Sequence, residues 1–169
     1  RVLMGFLGEG EHEKLQENSI IIAKSMGPAE LLDYDRTLLK GIILEEGSPT
    51  AHVTIVARAI GIPVLGRVKD ALDLIESGNR VIVDAKFSKA IARPSDEIDQ
   101  VYKESLEQQQ SLILEYEAQK NLPSKTQDEV DIDIYINAGL ILDLPNLDAT
   151  GAKGIGLFRT EFQFMVSST

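Results

Sequence analysis

Between Pro94 and Pro123 the chain runs from Asp96 to about Asn121 without a glycine or a proline. Nothing in that stretch breaks a helix, the prolines close it on both sides, and Ser95 or Asp96 is placed to cap its start. Ile98, Val101, Tyr102, Leu106, Ile113 and Tyr116 make only a partial apolar stripe on a surface rich in Glu and Gln. About 26 residues at 1.5 Å each reach ~39 Å. A helix so long and so thinly apolar is a mostly solvated connector, and the rest of the chain must fold as separate parts on either side of it.

Ahead of the connector, residues 1–18 hold a short apolar stretch and the polar run "GEGEHEKLQEN", read as a helical remnant or an exposed connection that includes His12. From residue 19 to 94 short apolar runs alternate with helical patterns. "SIIIA", "LKGIILE" and "RVIVDA" read as strands, "GPAELLDYD" and "VKDALDLIE" as helices, and "KAIARP" as a return run after a turn. That is a compact α/β unit of about 75 residues, enough for one small core. After the connector, residues 123–169 read as strand "VDIDIYINAG", helical "LDLPNLDATG" and strand "KGIGLFRTEFQF". Strand, helix, strand at that spacing is a βαβ unit, which calls for a parallel sheet.

Acidic residues outnumber basic ones 27 to 17, and no block of Lys and Arg interrupts that excess, so nucleic acid or an anionic membrane surface would meet net repulsion. The absence of cysteine excludes disulfides and thiolate metal sites and suits a cytoplasmic protein. The apolar runs are too short to cross a bilayer and no signal-peptide pattern opens the chain. It begins mid-pattern at "RVLMGFLG" and closes on "FQFMVSST", and is read as a stretch of a longer protein.

The segment "EEGSPTAHVTIVARAIGIPVLG", from Glu45 to Gly66, carries one of only two histidines. Ser48 as N-cap with Pro49 at the first helical position, or Thr50 as cap, both put His52 in the first turn of a helix. Val53, Val56, Ala57 and Ile60 then form its buried stripe, Gly61 and Pro63 end it, and His52 points away from the stripe. Unpaired backbone N–H groups and the positive end of the helix dipole would stabilise a phosphate added there. A neutral imidazole nitrogen is a competent nucleophile, and the hydroxyl of Thr50 is placed to fix the tautomer. Local physics alone also accommodates His52 as an ordinary polar residue at a helix start.

Gly47, Thr50, His52, Ile55, Ala57 and Arg58, followed by "GIPVLG", resemble the phosphohistidine signature of the phosphoenolpyruvate-utilising enzymes. "GAKGIGLFRTEFQFM", Gly151 to Met165, resembles the first signature of the phosphoenolpyruvate-binding barrel in the Enzyme I family of phosphotransferase systems, where the arginine of the RTEF run binds the substrate phosphate. Here that is Arg159, whose planar guanidinium at the end of a parallel strand suits phosphate oxygens. A salt bridge with Glu161 or another carboxylate is the alternative use.

The resemblance implies a swivelling β/β/α phosphohistidine domain over 19–94 and a linker helix over 95–122. It also implies the first βαβ unit of a TIM-type barrel over 123–169, and a remnant of a helical carrier-binding subdomain over 1–18. The implied reaction moves the phosphoryl group of phosphoenolpyruvate to His52 and on to a histidine of an HPr-like carrier, with Mg²⁺ ligands in parts of the family outside this chain and dimer contacts only in the full-length enzyme. Ser48, Pro49, Thr50 and Ala51 stand where sugar-type members usually carry an arginine, and "EEGSPTAHVTIVARA" with "MGPAELLDYD" looks more like the nitrogen-related form. A pyruvate phosphate dikinase or phosphoenolpyruvate synthase-like enzyme shares the histidine motif, and a phosphoryl-inert regulatory module could keep the same fold.

Overall fold

The computed structural model describes residues 2–4, 15–48, 52–139 and 141–160. The chain divides into two compact units, residues 1–99 and 100–169, each mixed α/β.

The first unit is built on four parallel strands in sequential order: β1 (Val2–Met4), β2 (Ser19–Ala23), β3 (Leu39–Leu44) and β4 (Val64–Leu65). Helix α1 (Pro28–Asp33) joins β2 to β3, and α2 (His52–Ala59) joins β3 to β4. In α1, Pro28 opens the helix and the Glu30 carboxylate accepts the Gly27 N–H at 3.3 Å, the one half of a capping box that a glycine N-cap allows. Crossovers between parallel strands are right-handed, which puts both helices on one face of the sheet, where they lie against each other.

The other face is set by strand alternation. Ile20 and Ile22 pair with Gly41 and Ile43, so these four share a side. Ile20, Ile22 and Ile43 form a core cluster with Ala71 and Ile75, and the antiparallel hairpin β5 (Val81–Asp84) and β6 (Lys89–Ala92) packs on it through Val81, Val83, Ala90 and Ala92. The unit therefore has three layers, with the hairpin and helix α3 (Ala71–Leu74) on one side of the sheet and α1 and α2 on the other.

Gly41 makes this layering possible. A Cβ there would lie 3.2 Å from both Cβ and Cγ2 of Val83, tighter than ordinary packing, so a side chain at 41 would push the hairpin back from its present position. Gly41→Val is expected to cost about 1–3 kcal/mol by overpacking. Urea unfolding of the chain checks it, and unchanged stability would mean that the hairpin shifts freely.

Three sequence expectations are corrected in this unit. Val2–Met4 is no part of a helical segment but pairs in parallel with Ile20–Ile22 as an edge strand. The helix expected over "VKDALDLIE" shrinks to Ala71–Leu74, because Asp70 takes the left-handed conformation (φ 56°) and Ile75 is already extended. α2 ends at Ala59, leaving Ile60 half-buried just beyond it. The polar run containing His12 lies outside the described residues.

The connector is α4 (Asp96–Gln119), with Ser95 as its N-cap: the Ser95 hydroxyl accepts the Ile98 N–H at 3.4 Å. Its first turn is acidic, which suits the helix dipole, and Arg80 holds that turn through Asp96 at 3.2 Å and Asp99 at 3.4 Å. No residue of α4 is buried.

In the second unit β7 (Tyr135–Ala138) and β8 (Gly154–Phe158) pair in parallel, joined through α5 (Pro145–Thr150). The expected strand over "VDIDIYINAG" is shorter because residues 124–132 fold back on themselves. Thr126 N–H donates to Val130 O at 3.0 Å, and Ile132 N–H to Ser124 O at 2.7 Å. The expected helix over "LDLPNLDATG" is split into a 3-10 turn, Ile141–Asp143, and α5, since Pro145 has no N–H to carry a continuous helix across the junction. Tyr135, Leu157 and Phe158 stay exposed on this two-stranded sheet.

Candidate functional site

The loop that delivers His52 is fastened at several points. As β3 leaves the sheet, Glu45 N–H donates to Ala23 O at 3.1 Å and Glu46 N–H to Lys24 O at 2.7 Å, extending the β2–β3 ladder past the strand end. The Glu45 carboxylate accepts the Leu72 N–H at 3.0 Å, one of the first-turn amides of α3 that has no partner within its own helix. Gly47 follows with φ 121°, a conformation open to glycine and strained for other residues. A Cβ on Gly66 would lie 3.6 Å from the Gly47 carbonyl, so the loops after β3 and β4 touch backbone to backbone. Arg67 Nε seals the contact by donating to Gly47 O at 3.2 Å. The chain then turns back, and Val68 N–H donates to Leu44 O at 3.0 Å.

His52 is the first residue of α2 and its side chain is exposed, while Val53, Val56 and Ala57 are buried beneath it. Thr54 Oγ1 donates to Ser48 O at 3.2 Å and ties the first turn to the incoming loop. The imidazole stands on the crossover that leaves the carboxyl end of β3 and opens α2, and the first N–H groups of an α-helix are donors suited to an anion. Such a group can accept a phosphoryl moiety without any rearrangement of the core. Thr50, the hydroxyl expected to orient the ring, lies outside the described residues.

Arg159 belongs to the second unit. It follows β8 directly, its side chain is exposed, and its N–H donates to Ala138 O at 2.8 Å, so it sits where the carboxyl ends of β7 and β8 meet. The loop after β7 is folded in by Asp143, whose carboxylate accepts the Gly139 N–H at 2.8 Å. Glu161, the alternative partner for Arg159, lies outside the described residues. At the amino end of the same strand, Lys153 bonds to Asp133. That bond and the ammonium charge hold the Asp133 carboxyl below the usual carboxylate range and raise Lys153 in turn.

Arg67 and Glu45 were not singled out by sequence reasoning. The only local signal was the "LGR" turn after "GIPV", which says that a loop ends there but not what it meets. Among the described residues no group of three or more His, Cys, Asp or Glu is arranged to hold a metal ion, and no helix is long and apolar enough to cross a membrane.

Residues 15–87 match the family described as "PEP-utilising enzyme, mobile domain", and residues 114–169 match "PEP-utilising enzyme, PEP-binding domain". The chain belongs to the phosphoenolpyruvate-utilising enzymes. Within that class it is similar to phosphoenolpyruvate-protein phosphotransferase, or Enzyme I. It is 28% identical to the protein of that name from Borreliella burgdorferi over 99% of this chain and 29% of the relative. With the Haloferax volcanii protein it shares 32% identity over 96% of this chain and 28% of the relative. With that of Streptomyces coelicolor it shares 34% over 90% and 26%. A solution NMR structure of Enzyme I (nEIt) matches 57% of this chain and 39% of its own length, with 25% identity and a TM-score of 0.53. The chain thus spans less than a third of the length of these curated relatives.

Proposed function

We propose that this chain is the part of a phosphoenolpyruvate-protein phosphotransferase that carries the phosphoryl group on His52. One imidazole nitrogen attacks the phosphorus of phosphoenolpyruvate, the enol oxygen–phosphorus bond breaks, and the enolate takes up a proton as pyruvate leaves. A histidine of an HPr-like carrier then attacks the same phosphorus and frees His52. The exposed histidine at the first position of α2, inside a loop fastened by Glu45, Gly47 and Arg67, is the observation that carries this reading.

In this scheme residues 19–94 form the mobile phosphohistidine domain and residues 95–122 the linker helix that allows it to swivel. Residues 123–169 supply the first βαβ unit of a TIM-type barrel, in which Arg159 grips the substrate phosphate. Phosphoryl transfer depends on positioning and charge stabilisation, so one nucleophile moved between two sites serves both half-reactions. The runs "EEGSPTAHVTIVARA" and "MGPAELLDYD" support a nitrogen-related system over sugar uptake, and the absence of cysteine suits a cytoplasmic one. Mg²⁺ and dimer contacts are assigned to the full-length enzyme, and no residue of this chain is given to the metal.

The test is to incubate the full-length enzyme with phosphoenolpyruvate, Mg²⁺ and an HPr-like carrier, following pyruvate release and acid-labile phosphate on both proteins. Pyruvate formed in step with phosphohistidine on the carrier is the expected result. A full-length enzyme that took phosphate only from ATP would point to a dikinase instead, and one that took none would be a regulatory module.

A further inference from the structure

Three described loop segments leave the carboxyl edge of the first unit's parallel sheet: 24–27 after β2, 45–48 after β3 and 66–70 after β4. Their cations are Lys24, Arg67 and Lys69. Lys24 pairs with Glu46 at 3.5 Å and Lys69 with Asp70 at 3.9 Å, while the Glu45 carboxylate is held by the Leu72 N–H. Arg67 alone of the three has no carboxylate partner among the described residues. Its Nε is spent on Gly47 O, and the N–H groups of Nη1 and Nη2 remain on an exposed side chain. Arg67 also has φ 62°, a conformation uncommon for a residue other than glycine. Glycine would relieve that strain, but it would remove the side-chain bond that ties this turn to Gly47.

The electrostatics call for a cation at this edge. The chain carries a net charge of −10, and Glu45, Glu46 and Asp70 sit on the same loops. A phosphoryl dianion arriving on His52, five residues beyond Gly47, would be repelled unless a positive group were kept free for it.

We propose that Arg67 is a positioning residue for the phosphohistidine: its Nε anchors the Gly47 end of the loop that carries His52, and its Nη edge supplies the charge that favours the dianionic phosphoryl group. The inference rests on His52 being the phosphorylated residue.

The experiment uses the 169-residue chain in a His12→Ala background, so that His52 is its only histidine, and potassium phosphoramidate as donor. The imidazole nitrogen attacks phosphorus, the phosphorus–nitrogen bond of the donor breaks, and ammonia leaves. Phosphorus NMR then follows the phosphoryl pKa on His52 as pH is varied. A nearby guanidinium lowers that pKa, so Arg67→Ala should raise it by roughly 0.5, the modest effect of an exposed cation. Labelling should slow by roughly 3- to 10-fold. Arg67→Gln keeps an N–H for Gly47 O but no charge and should raise the pKa equally; it replaces the Ala variant if that variant does not fold. Arg67→Lys should stay near the wild-type pKa. An unchanged pKa and rate in Arg67→Gln would reduce Arg67 to a loop tie and overturn the proposal. No label on wild type, or label persisting after His52→Ala, would overturn the His52 reading and this inference with it.

Discussion

In the full-length enzyme, His52→Ala is expected to lose all phosphoryl label from phosphoenolpyruvate, while His12→Ala keeps it. The effect is all-or-none because no other group at the start of α2 is a nitrogen nucleophile of comparable strength: Val53 is buried, and Thr54 is engaged with Ser48 O. The loss should come without unfolding. His52 is exposed and contributes nothing to the packed side of α2, so its removal should change stability by no more than about 0.5 kcal/mol. Mass spectrometry under alkaline conditions, which preserve phosphohistidine, together with a thermal melt, separates the two effects. Undiminished label in the His52 variant would move the nucleophile elsewhere in the enzyme.

Arg159→Lys is expected to slow the reaction with phosphoenolpyruvate by roughly 10- to 100-fold, the loss of one charged bidentate contact. Phosphoryl exchange between His52 and the carrier should be nearly unaffected. Lysine preserves the charge at the carboxyl end of β8 but cannot offer two parallel N–H groups to two phosphate oxygens. Pyruvate formation and carrier exchange measured separately in the full-length enzyme distinguish the steps. Equal losses in both would show that Arg159 supports the fold or His52 and does not grip the substrate.

Much of the fold was legible because its signals are local. The strands at Ser19–Ala23 and Leu39–Leu44 and the helix over His52–Ala59 lie where apolar periodicity predicts, and the helix from Asp96 begins where the capping residue Ser95 predicts. The expectations that gave way failed where a nearby or distant contact overrode the pattern. "VKDALDLIE" has helical periodicity, yet Asp70 in the left-handed region and the extended backbone of Ile75 confine the helix to Ala71–Leu74. "VLM" in the first residues is too short a run to announce a strand, and only the neighbouring edge of β2 makes it one. His52 and Arg159 could be picked out by residue type and flanking motif, whereas Arg67 could not. Its meaning lies in a contact with Gly47, twenty residues earlier in the chain.

The sequence by itself determined the division of the chain by a glycine-free helix, the alternation of period-two and helical segments, and the placing of a histidine at a helix start. Each of these follows from steric and hydrogen-bonding preferences acting over a few residues. Only the tertiary structure decided that the β5–β6 hairpin covers the face of the sheet bearing Ile20, Ile22 and Ile43, that Gly41 gives Val83 its room, and that the loops after β3 and β4 lock together through Gly47 and Arg67. Those outcomes depend on which distant surfaces meet when the sheet closes. That choice is made by the summed burial of many side chains, and no single stretch of sequence records it.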